Sequence, residues 1–320
     1  MQQSIEAITQ SILQGSQLKR GDDCSFLLET DLSELCTQAN RLRQHFCGNQ
    51  VDLCTIINGK SGRCSEDCKF CAQSSHNHSG CSEYGFLDAD TIAVDAKKNA
   101  SQGVHRYSIV TAGRKLSDTD MEKALAAYRK LHQECSLSLC ASHGFLSYEQ
   151  FLALKEAGVN RYHENIETSQ RYFPCICTTH SYQDKIDSIR LAQKAGLEVC
   201  SGGIIGMGET WEDRIDMALS LSELGIFSIP INALSPIPGT PFENREPLSE
   251  DDILRTIAIF RFFNPTAQIR LAAGRSLMQQ SGKRAFLSGA NATITGDMLT
   301  TSGTNIQQDR TMLLELGFDL

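Results

Sequence analysis

Val51-Asp-Leu-Cys54-Thr-Ile-Ile57 is followed, two residues on, by Lys60-Ser-Gly-Arg-Cys64-Ser-Glu-Asp-Cys68-Lys-Phe70-Cys71. The first run is apolar and β-branched and reads as a buried strand; the second is polar and reads as a loop. From there the chain alternates. Asp88 can cap a helix that runs to about Gln102 and is closed by Gly103. Further strands are expected at 105–110, 137–141, 159–166, 197–205, 227–234, 267–272 and 285–290. Helices are expected at 118–134, from Ser147 to Gly158, at 182–195 and 210–224, from Ser249 to Phe263, and at 274–281 and 306–316. Strands alternating with helices imply a parallel sheet. Eight such units in roughly 250 residues predict an α/β fold of (β/α)8 TIM-barrel type, with an open doubly wound sheet as the alternative. The expected division is an N-terminal helical extension, 1–46, and a barrel, 47–320. The extension holds a short polar helix over 1–20 and a second helix that starts at Asp31. Chemistry in a barrel sits at the C-terminal strand ends, where the cysteine loop falls.

Composition narrows the function. The 320-residue chain carries a net charge of −8 and a pI near 5.5, which argues against nucleic acid or an anionic membrane as main partner. The segment MQQSIEAITQ shows no secretory pattern, and no run approaches the ~18 apolar residues of a membrane span. Thirteen cysteines in such a chain read as a reduced, cytoplasmic protein with metal or redox chemistry.

Cys64, Cys68 and Cys71 form a C-x3-C-x2-C pattern. Three thiolates can hold three irons of a cubane and leave the fourth open, whereas electron-transfer clusters normally use four. Zinc would need a fourth ligand, for which His76, His78 and Cys81 are at hand. Phe70 is an aromatic on which an adenine could stack. The segment Val199-Cys200-Ser-Gly-Gly-Ile204-Ile-Gly-Met-Gly-Glu209-Thr ends a strand and opens a helix, and its glycines suit close packing. Ser108, Cys140, Asn165, Glu167, Cys200, Asn232 and Arg270 are polar residues on or just beyond predicted strands. Arg270 would be costly to bury unpaired; a carboxylate or an anionic inorganic cluster would answer it.

With these motifs the chain resembles the biotin synthases of the radical S-adenosylmethionine superfamily, over residues 31 to 318. The resemblance rests on Lys60 to Ser74, the segment from Cys200 to Thr210, Pro230-Ile-Asn-Ala-Leu, and Arg270-Leu-Ala-Ala-Gly-Arg275. It implies a homodimeric sulfurtransferase of biotin biosynthesis. A 4Fe-4S cluster on Cys64, Cys68 and Cys71 would cleave S-adenosylmethionine after reduction by flavodoxin or ferredoxin. The resulting 5′-deoxyadenosyl radical would abstract hydrogen from dethiobiotin, and an auxiliary cluster would donate sulfur. Asn165, Glu167 and Ile204 then match positions contacting S-adenosylmethionine, and Asn232 one holding dethiobiotin. Cys140, Cys200 and Arg270 match three ligands of the auxiliary cluster.

One departure stands out. The family's remaining auxiliary ligand is a cysteine two residues after an arginine on the second strand; here Arg106-Tyr-Ser108 places a serine there. Serine is a poor substitute for a soft thiolate. Cys54 is the expected replacement, with Cys175 and Cys177 as further candidates, and the cluster is expected to be of altered type: 4Fe-4S or 4Fe-5S in place of 2Fe-2S. Competing readings are a radical barrel enzyme that inserts no sulfur, such as a hydrogenase maturase or a mutase, and a non-catalytic metal-binding module.

Overall fold

The computed structural model describes residues 4–299 and 303–320. Among the described residues nine short strands form the sheet: β1 (Asp52–Lys60), β2 (Arg106–Thr111), β3 (Ser138–Ser142), β4 (Val159–His163), β5 (Glu198–Cys200), β6 (Gly203–Ile205), β7 (Ser228–Ala233), β8 (Gln268–Leu271) and β9 (Ala292–Ile294). Every pairing is parallel, and β1 pairs with both β2 and β9, so the sheet closes on itself. β5 and β6 are two halves of one barrel strand. β5 pairs with β4 and touches β7 at Cys200–Ser228, and β6 continues along β7. The result is the expected eight-membered barrel.

The strand expected over 197–205 is therefore interrupted at Ser201-Gly202. The interruption lets the backbone of Glu167 dock into the sheet: Glu167 N–H donates to Gly202 O at 3.1 Å, and Ile204 N–H donates to Glu167 O at 2.8 Å. Glu167 reaches that position with φ of 69°, left-handed for a residue with a Cβ. For the same reason β4 stops at His163 rather than continuing to Ile166.

A second departure lies in the last unit. Residues 274–281 form two short 3-10 turns, Arg275–Leu277 and Gln279–Gly282, because Gln280 and Ser281 have φ of 47° and 52°. A helix, Lys283–Phe286, begins where a strand was expected, and the final strand starts only at Ala292. A short apolar run such as Ala285, Phe286 and Ala290 fits either period. The Arg275 guanidinium fixes the outcome. It donates to Ser281 O, Thr293 Oγ1 and both carboxylate oxygens of Asp309, tying the turns to the last strand and the C-terminal helix Ile306–Glu315.

The other helices start where their caps place them. Asp31, Asp88, Ser147, Thr210 and Ser249 each accept a first-turn N–H. Ahead of β1 run Ile5–Leu13, Phe26–Glu29 and Leu32–Cys47. Leu32–Cys47 packs on Glu250–Phe263, in which every residue from Thr256 to Phe263 is buried, and Ile5–Leu13 packs in turn on Leu32–Cys47. Phe26 meets Phe262 edge-on at 6.1 Å, and Arg255 donates to Leu27 O at 2.8 Å. Burial of side chains such as Leu27, Leu35 and Leu42, each 0% exposed, stabilises this seam by about 1.5–3 kcal/mol apiece. Among the described residues no helix is long and apolar enough to cross a membrane.

Candidate active site

Inward-facing residues recur at every second position along a strand. In this barrel they enclose a cavity of about 310 Å³. Cys54 and Ile56 of β1, Arg106 and Ser108 of β2, Cys140 of β3, Arg161 and His163 of β4 and Cys200 of β5 line it from the strands. Phe70 and Cys71 line it from the loop.

The loop after β1 is held by its own backbone. Cys64 N–H donates to Gln73 O at 3.0 Å, Ser75 N–H to Cys64 O at 2.8 Å, and Cys71 N–H to Cys68 O at 3.1 Å. Asn77 Nδ2 reaches the carbonyls of Cys68 and Cys71 at 3.2 and 2.8 Å. Cys64, Cys68 and Cys71 are thus gathered on one loop, and none is in a disulfide. Burial, with the charges of Cys64 and Glu167 adding to it, pushes the Cys71 thiol up to about 11. Repulsion among thiolates of this kind is what a bound cation relieves, so the donor set suits an iron–sulfur cluster. His76, His78 and Cys81 join no compact metal-ligating group among the described residues.

Asn165, Glu167, Ile204 and Asn232 line the same cavity. Asn165 Oδ1 accepts from Gly202 N–H at 3.0 Å, so it helps hold the strand break open. Asn232 bridges two strand ends, accepting from Ala273 N–H at 3.1 Å and donating to Gly203 O at 3.1 Å. The glycine segment proves to be close packing: a Cβ on Gly202 would lie 1.9 Å from Pro230 O. Glu209 was not singled out as a site residue. Its carboxylate accepts from the N–H groups of Gly206, Met207 and Gly208 and from Arg214, and so fixes the turn that follows β6.

Deeper in the barrel Cys54, Cys140, Cys200 and Arg270 line the same cavity. All four are buried. Ser108 lies in register with Ile56 and Cys140, one step above the level at which Cys54 meets Arg106. Cys54 is pushed up by burial, with Cys140 adding to the effect and Arg270 opposing it. Cys200 behaves differently. Burial would raise its pKa, but a hydrogen bond to His163 and the positive charges of His163, Arg270 and Arg161 bring it down to about 6.

Arg270 meets a carboxylate in this floor. Its Nη2 donates to Asp52 Oδ1 at 2.7 Å and to Gln268 Oε1 at 3.3 Å, and its Nη1 donates to Asp52 O and Thr293 O. To bind iron, one of these nitrogens would have to release a proton and a hydrogen bond. Arg106 donates to Cys140 Sγ at 3.7 Å, while its buried Nε has no hydrogen-bond partner. Three thiols beside Arg106, whose Nε faces Asp52 only at 3.6 Å without a hydrogen bond, are a fitting cradle for an anionic sulfur-containing group. Sequence reading missed Asp52, Arg161 and His163 here; alternation along β4 was the signal available for the last two.

Cys175 and Cys177 do not reach this floor. Cys175 is exposed, and Cys177 Sγ lies 3.8 Å from Cys68 Sγ at the rim. The chain after β4 is drawn outward because Asp67 accepts from the N–H groups of Thr178 and Thr179.

Comparison with known proteins supports the sequence resemblance. Residues 60–221 match the Radical SAM superfamily and residues 230–319 the Biotin and Thiamin Synthesis associated domain. Solved structures of methylornithine synthase (TM-score 0.83, 20% identity, covering 98% of this chain and 96% of the other) and of an FeFe-hydrogenase maturase from Carboxydothermus hydrogenoformans (TM-score 0.82, 15% identity, 98% and 78%) share the fold. Curated relatives are far nearer in sequence. The biotin synthase of Alkaliphilus metalliredigens is 63% identical over 99% of both chains. That of Clostridium beijerinckii is 62% identical over 99% of this chain and 100% of its own. With relatives of this similarity spanning its length, the chain belongs to the biotin synthase family, within the radical SAM superfamily.

Proposed function

We propose that the chain forms biotin from dethiobiotin by radical, S-adenosylmethionine-dependent insertion of sulfur. The observation that carries this reading is the continuity of the cavity: Cys71 and Phe70 line it from the loop, and Cys54, Cys140 and Cys200 line it from the strands below. Cys64, Cys68 and Cys71 would hold a 4Fe-4S cluster, and Cys140, Cys200 and Cys54 an auxiliary cluster, 4Fe-4S or 4Fe-5S, with Arg270 beside it. The chemistry supplied by the bound groups is one electron, from reduced flavodoxin or ferredoxin, to split the sulfonium bond, and a sulfur atom for the substrate.

The protein's own residues position and shield the reactants. Phe70 offers its ring to the adenine. Asn165, Glu167 and Ile204 would contact S-adenosylmethionine from the strand break, where their backbone is held by the Glu167 pairing. Asn232, fixed at both ends of its amide, presents a rigid polar edge to the dethiobiotin ring system. Apolar Ile56, Val110 and Ile294 line the cavity between its polar groups and would help exclude water. Below them Arg106, Arg161, Arg270 and His163 balance negative charge on the thiolates.

The test is anaerobic reconstitution with iron and sulfide, followed by reductant, S-adenosylmethionine and dethiobiotin, read by mass spectrometry. Both 5′-deoxyadenosine and biotin are expected. With both clusters shown to be loaded, 5′-deoxyadenosine alone would favour a radical enzyme that inserts no sulfur; neither product would mean a binding module.

A further inference from the structure

Cys177 lies outside the roles above, yet it sits against the cluster loop with unusual neighbours. Its Sγ is 3.8 Å from Cys68 Sγ and 3.8 Å from His180 Nε2, and one ligand atom from each of the three residues lies within 4.8 Å of the others. Zinc takes thiolate sulfur at about 2.3 Å and imidazole nitrogen at about 2.0–2.1 Å. Around a tetrahedral centre those lengths give edges of about 3.8 Å between two sulfurs and about 3.5 Å between sulfur and nitrogen. The Cys68–Cys177 and Cys177–His180 Nε2 separations, 3.8 Å each, are close to both. Thiolates on separate irons of a cubane stand farther apart than the edge of one metal's tetrahedron, so Cys177 is not placed as another corner for the cluster.

The surroundings hold this arrangement in place. Lys69 N–H donates to Ile176 O at 3.0 Å, fastening the Cys177 segment to the cluster loop. The His180 ring packs edge-on against Phe145 and Phe173, at 5.3 and 5.5 Å. Two carboxylates adjoin the site: Asp67 Oδ1 is 3.2 Å from Cys177 Sγ, and Glu66 Oε2 accepts from His180 Nδ1 at 2.5 Å, which orients the ring and leaves Nε2 to coordinate. They add the negative charge a divalent ion needs; Asp67 is held by Thr178 and Thr179, so water would take the fourth position.

We propose that Cys68, Cys177 and His180 bind a thiophilic divalent cation of the zinc type in the cluster-free chain, and that this cation competes with cluster loading for the Cys68 thiolate. Cys64 and Cys71 take no part in the site. Cluster assembly then requires the cation to leave, and Cys177 acts as a guard on the loop before the cluster arrives.

Cobalt(II) tests this, because tetrahedral thiolate coordination gives intense d–d and sulfur-to-metal charge-transfer bands. Cluster-free protein is titrated with Co²⁺ anaerobically in a phosphine reductant, without S-adenosylmethionine or dethiobiotin, so the result is independent of the proposed catalysis. One tightly bound Co²⁺ with these bands is expected. Cys177→Val and His180→Phe should each weaken binding by at least about tenfold, whereas Cys64→Ser and Cys71→Ser should leave the spectrum intact. Zn²⁺ should slow cluster uptake, followed by its visible absorbance, in the wild-type chain and much less in Cys177→Val. Should Cys177→Val fold poorly, as judged by circular dichroism, Cys177→Ser serves in its place. An unchanged spectrum in the Cys177 and His180 variants, or its loss in Cys64→Ser and Cys71→Ser, would overturn the proposal by putting the metal on the loop's own cysteines.

Discussion

Arg270 on β8 donates to Asp52 on β1 at 2.7 Å, although β9 lies between their strands. Both residues are in register with Ala292, so the bond spans the floor of the barrel at one level. The pair is almost fully enclosed, with 2% and 12% of the side chains exposed. Asp52 also faces Arg106, at 3.6 Å, and these cations hold its carboxyl well below the usual carboxylate range despite its burial.

Removing only the acid should therefore be costly. Asp52→Ala strands a buried guanidinium and is expected to destabilise the cluster-free protein by about 3–5 kcal/mol, read from the urea midpoint. Asp52→Ala combined with Arg270→Met should recover much of that loss. An unchanged midpoint in the single variant would show that the pair has no structural role.

Cys54→Ala tests the altered auxiliary cluster. Reconstituted protein is expected to lose auxiliary-site iron, counted chemically and by Mössbauer spectroscopy, and to lose biotin formation while still making 5′-deoxyadenosine. A spectrum identical to wild type would remove Cys54 from the ligand set, and two irons at the auxiliary site of the wild-type protein would contradict the altered cluster type.

Cys68→Ala should abolish 5′-deoxyadenosine formation, because the remaining two thiols of the loop cannot complete the cluster site. Normal cleavage in this variant would refute the assignment of the loop.

These two tests rest on features that differ in how readable they were. The cysteine loop and the caps at Asp31, Asp88, Ser147 and Ser249 are local, so spacing alone reveals them. The resemblance to biotin synthases drew attention to Ser108, and with it to Cys54 on the neighbouring strand. The link between Arg270 and Asp52 joins residues distant in sequence, and nothing local marks Asp52 as its partner. The final strand was misplaced because the Arg275–Asp309 tie, again long-range, decides where the chain re-enters the sheet. Cys177 looked like a floor ligand from its position after β4, but the hydrogen bonds of Asp67 carry that segment to the rim.

Gly202→Ala should damage the strand break. Its new Cβ would meet the carbonyl of Pro230, a backbone atom with little room to move. The expected cost is about 1–3 kcal/mol of stability, with weaker binding of S-adenosylmethionine because Gly202 and Asn165 are bonded directly. Equilibrium dialysis of the cluster-loaded variant measures the second effect; wild-type affinity would detach the break from that site.

Asp213 gives a pH signature away from the cysteines. Burial opposes its charge, but bonds from Ser169, the Thr210 backbone and Arg171 prevail and lower its pKa. A carboxylate lowered on folding contributes stability that is fully present above its unfolded pKa of about 3.9 and is lost as pH falls through the folded value. Asp213→Asn should therefore flatten the acid limb of the stability profile below about pH 4. Parallel wild-type and variant profiles in that range would contradict this.

The most direct test of the central claim is where the product's sulfur comes from. The protein is reconstituted with heavy-isotope sulfide, freed of excess sulfide, and allowed a single turnover with S-adenosylmethionine and dethiobiotin. Biotin carrying the heavy isotope, with loss of auxiliary-cluster absorbance, is the predicted result. Biotin of natural isotopic mass, or an auxiliary cluster left intact as biotin forms, would contradict it.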